Sequence, residues 1–183
     1  MCRAYMTWQD VDEFQILPYS HSGKMTAQIC PEDLAPVFIQ DGRTIVSRVM
    51  RWGFPMQRGK VLFGVEAENI QEKPLFHSAY LYRRCAVPVL GFYESGAQGE
   101  YFVLTEKKKN LLYMAGVWQH IGKDDRFVVL TSKYAQGEGG MRVPLLLYAD
   151  QTIRWLSDSE QAARFCINGT TAQLSATPLK IRA

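Results

Sequence analysis

The residues best suited to do chemistry stand at the very start of the chain, Met1-Cys2-Arg3. The Cys2 side chain is small enough for Met1 to be removed before it, which would leave an N-terminal cysteine. Such a residue carries an α-amine and a thiol on adjacent carbons. The amine titrates near ~8 and the thiol near ~8.5, so modest fractions of both are nucleophilic at neutral pH. An aldehyde meeting that pair forms an imine with the amine, and the thiol then closes it into a thiazolidine ring. No other position offers this combination. A cysteine at position 2 is also a common accident of a frayed terminus, so the rest of the chain has to carry the argument.

Glu94 is the carboxylate that fits beside it. It follows the apolar run Val89-Leu-Gly-Phe-Tyr93 and stands where a strand gives way to a turn. An acid there is held by a sheet yet can face a cleft, and partial desolvation would raise its pKa toward the range useful for proton transfer. An exposed turn acid is an equally good reading of the spacing. Arg48, Arg51, Arg83, Arg84, Arg126 and Arg142 could supply a phosphate-binding face, with Trp52 and Trp118 as stacking surfaces, or could be a solvated face around core aromatics. His21, His77 and His120 fall in no Ser/His/Asp or metal-ligand spacing. Cys2, Cys30, Cys85 and Cys166 form no CxxC or CxH pair, so neither a metal nor a cofactor is expected.

The elements that must position these groups read as follows. The sequence of 183 residues suits one domain, 1–183, with a sizeable core. Its hydrophobic fraction of 47% and charged fraction of 21% are those of an ordinary globular chain, and its net charge of +3 permits a polyanionic partner without requiring one. Residues 1–20 carry Asp10, Asp12 and Glu13 and no apolar run, so no secretory signal is read. No stretch approaches the ~20 apolar residues of a membrane span. A cytoplasmic, nucleoid-associated protein with free thiols is expected.

Thr7 to Phe14 reads as a short helix, and Pro18 to Lys24 as a loop. Pro36 to Ile39 reads as a buried strand, Asp41-Gly42 as a hairpin turn, and Thr44 to Gly53 as the returning strand. Helical spacing from Glu66 to Arg84 is interrupted by Pro74, which places a helix start there. Four strands follow in quick succession: Cys85–Tyr93, Tyr101–Thr105, Leu111–Trp118 and Arg126–Thr131. Asp150 is a candidate helix cap, and Ser157 to Cys166 a further short helix. The fold class expected is α+β: β-rich, with a mostly antiparallel sheet or barrel-like core and peripheral helices.

Several short segments recur in a telling order. They are Cys2, Gln28-Ile-Cys-Pro31, Arg51-Trp-Gly-Phe-Pro55, Glu68 with Glu72-Lys-Pro-Leu-Phe76, Arg84-Cys-Ala-Val-Pro88, Gly91-Phe-Tyr-Glu94, Ala115-Gly-Val-Trp118 and Arg142-Val-Pro-Leu145. This ordered set resembles the SRAP family, the SOS-response-associated peptidase domain. The resemblance implies a single β-rich domain that recognises abasic sites in single-stranded DNA. It implies that Cys2 joins the ring-opened sugar as a thiazolidine, with Glu94 as acid/base for imine formation. Arg142 and Arg3 would then meet phosphate, and Pro31 and Trp52 would line the DNA groove. The family's autoprocessing would be reduced to removal of Met1. A monomer, with no membrane or metal partner, is expected.

The chain also departs from that family's pattern. Aligned on Glu68, the usual Asn is Gly64 and the usual phosphate-binding Arg is Glu66, a reversal of charge. Aligned on Arg142, the usual His is Gly140; Ser95 stands for the Trp that follows the catalytic Glu, and Gln28 for the Asn of an Asn-x-Ala-Pro segment. The usual Gly after the N-terminal Cys is absent. Glycine supplies no side-chain proton or hydrogen bond, and losing one acid–base group commonly costs ~10²–10⁴ in rate. The alternative reading is therefore a degenerate module of the same fold that binds DNA or a protein without bonding to it. A thiol peptidase acting on other proteins would need a paired His, and none is spaced for that role.

Overall fold

The computed structural model of the chain describes residues 4–8, 26–95, 100–108, 110–135, 137 and 141–179. In chain order it runs through β1 (Ala4–Trp8), β2 (Thr26–Ile29), β3 (Leu34–Asp41), β4 (Thr44–Trp52), β5 (Phe54–Pro55), β6 (Val61–Leu62) and β7 (Gly64–Glu66). Next come helix α1 (Pro74–Tyr82), β8 (Arg84–Val89), β9 (Gly91–Ser95), β10 (Tyr101–Glu106), β11 (Leu112–Ile121) and β12 (Asp124–Lys133). The last elements are β13 (Arg142–Pro144), β14 (Leu146–Leu147), α2 (Ala149–Ser157), α3 (Ser159–Asn168) and β15 (Leu174–Pro178).

Two sheets carry the architecture. In the larger, β3 pairs with β4 and β8, β8 with β11, β11 with β12, and β12 returns to β4. That ring is a closed barrel with an odd number of strands, so antiparallel alternation cannot run all the way round. The junction that breaks it is β4–β12, which is parallel, with Arg51 opposite Arg126 and Trp52 opposite Phe127. The second sheet is five-stranded, in the order β15-β10-β9-β1-β2, and every one of its pairs is antiparallel. The α+β, mostly antiparallel, barrel-like architecture is as the sequence indicates.

Side-chain alternation explains why the barrel strands look uniformly apolar. Val37 and Ile39, Cys85 and Val87, Leu112 and Met114, Phe127 and Val129 face one core, which is shared with Tyr5, Phe92 and Leu104 of the second sheet. Their neighbours Phe38, Ala86, Tyr113, Ala115, Val128 and Leu130 face a second core beneath the helices. Strands buried on both faces show no polar alternation. That is why Cys85–Tyr93 reads as one strand.

The structure corrects that reading. The run divides at Leu90: β8 belongs to the barrel, while β9 crosses into the second sheet. Leu90 donates its N–H to the Met6 carbonyl at 2.9 Å. At Gly91 a Cβ would lie 2.8 Å from Met6 Cε and 2.9 Å from Thr105 Cγ2, so a larger residue there would make the neighbouring side chains of β1 and β10 shift. The helix read over Thr7–Phe14 is corrected too, at its start. Thr7 and Trp8 end β1, which is paired on both edges, by β2 and β9. Residues 9–14, like the loop at 18–24, lie outside the described residues.

Helix α1 begins at Pro74, as expected of a residue whose missing N–H costs nothing in the first turn. Asp150 is not the cap of α2. It sits in the first turn and pairs with Arg154, and the N–H of Tyr148 is taken by Gln151 Oε1 at 2.9 Å. Asp158 caps α3 through the N–H groups of Glu160 and Gln161.

Candidate active site

The first strand is held from three sides. Tyr5 is fully buried, and its ring meets Trp52 edge-on at a centroid distance of 5.1 Å. Trp52 is itself 0% exposed; it stacks near Phe127 at 6.4 Å and donates its indole N–H to the Phe63 carbonyl at 2.9 Å. It therefore offers no ring face on which a base could stack. Its contribution to the site is to fix β1 from inside the core. On the edge of β1, Ala4 lies opposite Tyr93 and Tyr5 opposite Phe92.

That register sets Ala4, the first described residue, beside Tyr93, and Glu94 is the next residue on β9. Cys2 and Arg3 lie outside the described residues. Peptide geometry alone keeps the Cys2 Cα within about 7.6 Å of the Ala4 Cα, two virtual bonds away. Glu94 is 5% exposed and shares the core-facing side of β9 with Phe92. Phe102 of β10 is its opposite number on the other edge. The carboxyl is thus removed from bulk water, not solvated on a turn. The ambiguity in the sequence resolves in favour of the buried acid.

Pro31 stands in the turn that follows β2, on the other flank of β1, and is half-buried. The turn is tightly held. Cys30 donates its N–H to the Asp33 carboxylate at 2.8 Å, and Glu32 adopts a φ of 78°. Arg126 donates to the Glu32 carboxylate at 2.8 Å and to the Gly53 carbonyl at 2.9 Å, while Arg51 donates to the Glu32 carbonyl and pairs with Asp124 at 3.3 Å. Gly53 itself has a φ of 107°, and a Cβ there would sit 2.4 Å from Val61 Cγ1. Arg51-Trp-Gly-Phe-Pro55 is thus a structural bracket. Its arginine ties the Pro31 turn, its tryptophan supports β1, and its glycine permits the bend.

Arg142 lies in β13 beside a cleft of about 540 Å³ lined by Glu66, Glu68, Ser132, Lys133 and Asn168, among others. It is engaged, donating to the Glu68 carboxylate at 2.6 Å and to the Thr131 carbonyl at 2.7 Å. Burial acts to raise the Glu68 pKa, but the Arg142 hydrogen bond and charge, with backbone donors including Lys133, outweigh it and hold the carboxyl below its ordinary value. Glu66 projects from β7 with Lys73 at 3.9 Å. Gly64, also in β7, lies opposite Val129, and Gly140 lies outside the described residues.

The other candidate arginines among the described residues are each engaged locally, Arg83 with the Trp118 carbonyl at 3.3 Å and Ser78 Oγ at 3.2 Å. Arg84 is buried; it donates to the Tyr80 and Leu81 carbonyls at the end of α1 and to Trp155 and Leu156 near the end of α2, and its guanidinium lies 5.9 Å from the Trp155 ring. A single cation closes two helix C-termini, where the dipoles favour it. Arg48 pairs with Asp41 at 3.3 Å. His77 is bonded to the Gln71 carbonyl and His120 to Asp125. Sequence reasoning gave Glu68 a place in a motif but no role as the anchor of Arg142; its distance from Arg142 in the chain hides that. Among the described residues no cluster of three or more His, Cys, Asp or Glu is placed to hold a metal, and no helix is long and apolar enough to cross a membrane.

A barrel packed against a second sheet, whose first strand runs beside a buried glutamate, defines the structural class. The chain belongs to the SRAP (SOS response associated peptidase) family, whose sequence profile matches residues 1–182. The abasic site processing protein YMR114C of Saccharomyces cerevisiae is 27% identical over 124 residues, covering 60% of this chain and 33% of that protein. The chain therefore spans about a third of that relative's length. A solved protein of Bordetella bronchiseptica shares the fold with a TM-score of 0.74 at 17% identity, over 98% of this chain and 100% of that one. A phage-related protein of the same organism gives 0.75 at 16%, over 98% and 95%. A Bacteroides thetaiotaomicron protein gives 0.65 at 18%, over 84% and 77%.

Proposed function

We propose that this protein recognises abasic sites in single-stranded DNA and captures the ring-opened aldehyde covalently through Cys2. The observation that supports the proposal is the β1–β9 register, which sets Ala4, two residues after Cys2 in the sequence, opposite Tyr93, the residue before the buried Glu94. Membership of the SRAP family, and likeness to a protein named for abasic site processing, favour this substrate over other aldehydes. In the first step the α-amine adds to the aldehyde carbon. Glu94 moves the protons that convert the carbinolamine to an imine and water. The thiol sulfur then adds to the imine carbon, its proton passing to nitrogen, and the ring closes with one water lost overall.

A second reading keeps the fold and drops the bond. The mixed charge of the Arg142 cleft favours it, since Glu66 and Glu68 there offset Lys133 and Arg142. Incubating the protein, its Met1 shown to be absent, with single-stranded DNA carrying one abasic site separates the two. A band that survives a denaturing gel and disappears in Cys2→Ala supports capture. Salt-sensitive binding without such a band supports the non-covalent module.

A further inference from the structure

The first half of β4 is paired on one side only. It runs in unbroken register with β3, from Asp41 opposite Thr44 to Leu34 opposite Arg51. On its other edge β12 joins at Arg51 and Trp52, and β12 itself begins just ahead of that junction, at Asp124. Among the described residues no strand lies along Thr44 to Met50 on that side. The hydrogen bonds beside the junction show which groups face the gap. Trp52 donates its N–H to the Asp33 carbonyl and accepts from Glu32, both on the β3 side, whereas Gly53 donates to Phe127 of β12. Backbone groups of an antiparallel strand alternate between its two sides. Counting back from Trp52, Met50, Arg48 and Val46 turn toward β3. Val49, Ser47 and Ile45 turn their N–H and C=O groups outward.

An unpaired row of backbone donors and acceptors is a template for one more strand. Its surroundings define the chemistry of that strand. Val49 is 57% exposed and Leu34 55%, and the register places them diagonally on one face of the ribbon. Arg48 points to the other face; it is exposed and pairs with Asp41 at 3.3 Å. Arg43, exposed in the turn, has no carboxylate partner among the described residues. A second copy pairing along this edge sets Arg43 and Arg48 of two ribbons in one sheet, like charge facing like, a device by which edge strands discourage their own kind. A nucleic-acid strand meets the arginines but leaves the backbone row and the apolar pair unmatched. An extended peptide that alternates apolar and acidic residues matches all three, because successive side chains of a strand point to opposite faces.

We propose that the open edge of β4, from Ile45 to Val49, binds an extended acidic segment of another protein as an added strand. The main-chain bonds to Ile45, Ser47 and Val49 hold the segment in place. Its apolar side chains lie with Val49 and Leu34 on one face, and its carboxylates meet Arg48 and Arg43. This surface goes beyond aldehyde capture and does not depend on it. It leaves the Arg51–Trp52 end of the same strand to support β1.

The test uses the whole chain and a blocked synthetic peptide of about eight residues alternating valine and glutamate. The same peptide with lysine for glutamate is the control. Amide hydrogen exchange followed by NMR reads the edge directly. In the free protein the amides of Ile45, Ser47 and Val49 should exchange fast and those of Val46 and Arg48 slowly. The glutamate peptide should slow the outward three by at least about tenfold. It should also bind at least about fivefold tighter than the lysine peptide. Ser47→Pro should abolish that binding with little change in melting temperature, because the proline removes an outward N–H and leaves the β3 ladder intact. If that variant folds poorly, Arg43→Glu decides instead, and should bring the affinities for the two peptides together. Outward amides already protected in the free protein, or a dimer in sedimentation, would overturn the proposal. So would equal binding of both peptides, no protection by the glutamate peptide, or protection of the same amides by single-stranded DNA.

Discussion

Two regions of this molecule face opposite chemical problems. The corner formed by β1, β9 and the Pro31 turn is built for precision: Trp52 and Tyr5 are fully buried beneath it, and Gly53 and Gly91 each occupy a place where a Cβ would clash. The Arg142 cleft is built for charge balance, with Arg142 bonded to Glu68 and Glu66 near Lys73. On the proposed function, the contrast teaches that groups that react and groups that meet phosphate can diverge separately. A bond-forming step depends on placement to within fractions of an ångström. Phosphate attraction is a sum over many charges and tolerates reversal of one of them.

If that contrast is right, substitutions in the two regions should differ in kind. Glu94→Gln is expected to have the largest effect, slowing adduct formation by about 10²-fold through loss of proton transfer. Its melting temperature should change little, because Gln preserves the volume; a rate series on denaturing gels checks this. Trp52→Ala should unfold the corner from beneath, costing about 3–5 kcal/mol in a denaturant titration. Adduct yield should fall with it, and an unaltered midpoint would contradict the supporting role given to Trp52.

In the cleft, the expected effects are smaller and act on binding. Glu66→Arg should strengthen binding to single-stranded DNA and steepen the dependence of log K on log salt by about 1, without changing the rate of bond formation at saturating DNA. The smallest effect is that of acid on the Glu68–Arg142 pair. The Glu68 pKa is lowered in the fold, so its stabilisation is present above the unfolded value and is lost as pH falls through the folded one. Glu68 is 37% exposed, so screening keeps the contribution modest. Thermal melts of wild type and Glu68→Gln should therefore converge as the pH is lowered from about 5 to about 3.

Much of the scaffold was legible in local chemistry. Asp41-Gly42 turns the β3–β4 hairpin with Gly42 at a φ of 61°, and Pro74 opens α1. Glu94 could be singled out because an acid at the end of an apolar run is conspicuous. What escaped the sequence depends on tertiary placement. The break at Leu90 is hidden because β8 is buried on both faces, so no polar alternation marks where the chain changes sheets. Trp52 reads as a stacking surface until the barrel closes over it, and Arg84 as a phosphate ligand until two helix ends meet at its guanidinium. Thr7 and Trp8 look helical in isolation because nothing local reveals that β2 will pair with them, at Ala27 and Thr26.

The most direct test of the account is to isolate the product formed with abasic single-stranded DNA in the absence of any reductant, and to map it by mass spectrometry. The account predicts a species equal to the Met1-free protein plus DNA less one water, stable without borohydride, with the modification on the Cys2 peptide and none in Cys2→Ala. An adduct on a lysine, or one that survives only after borohydride reduction, would contradict capture by the N-terminal aminothiol.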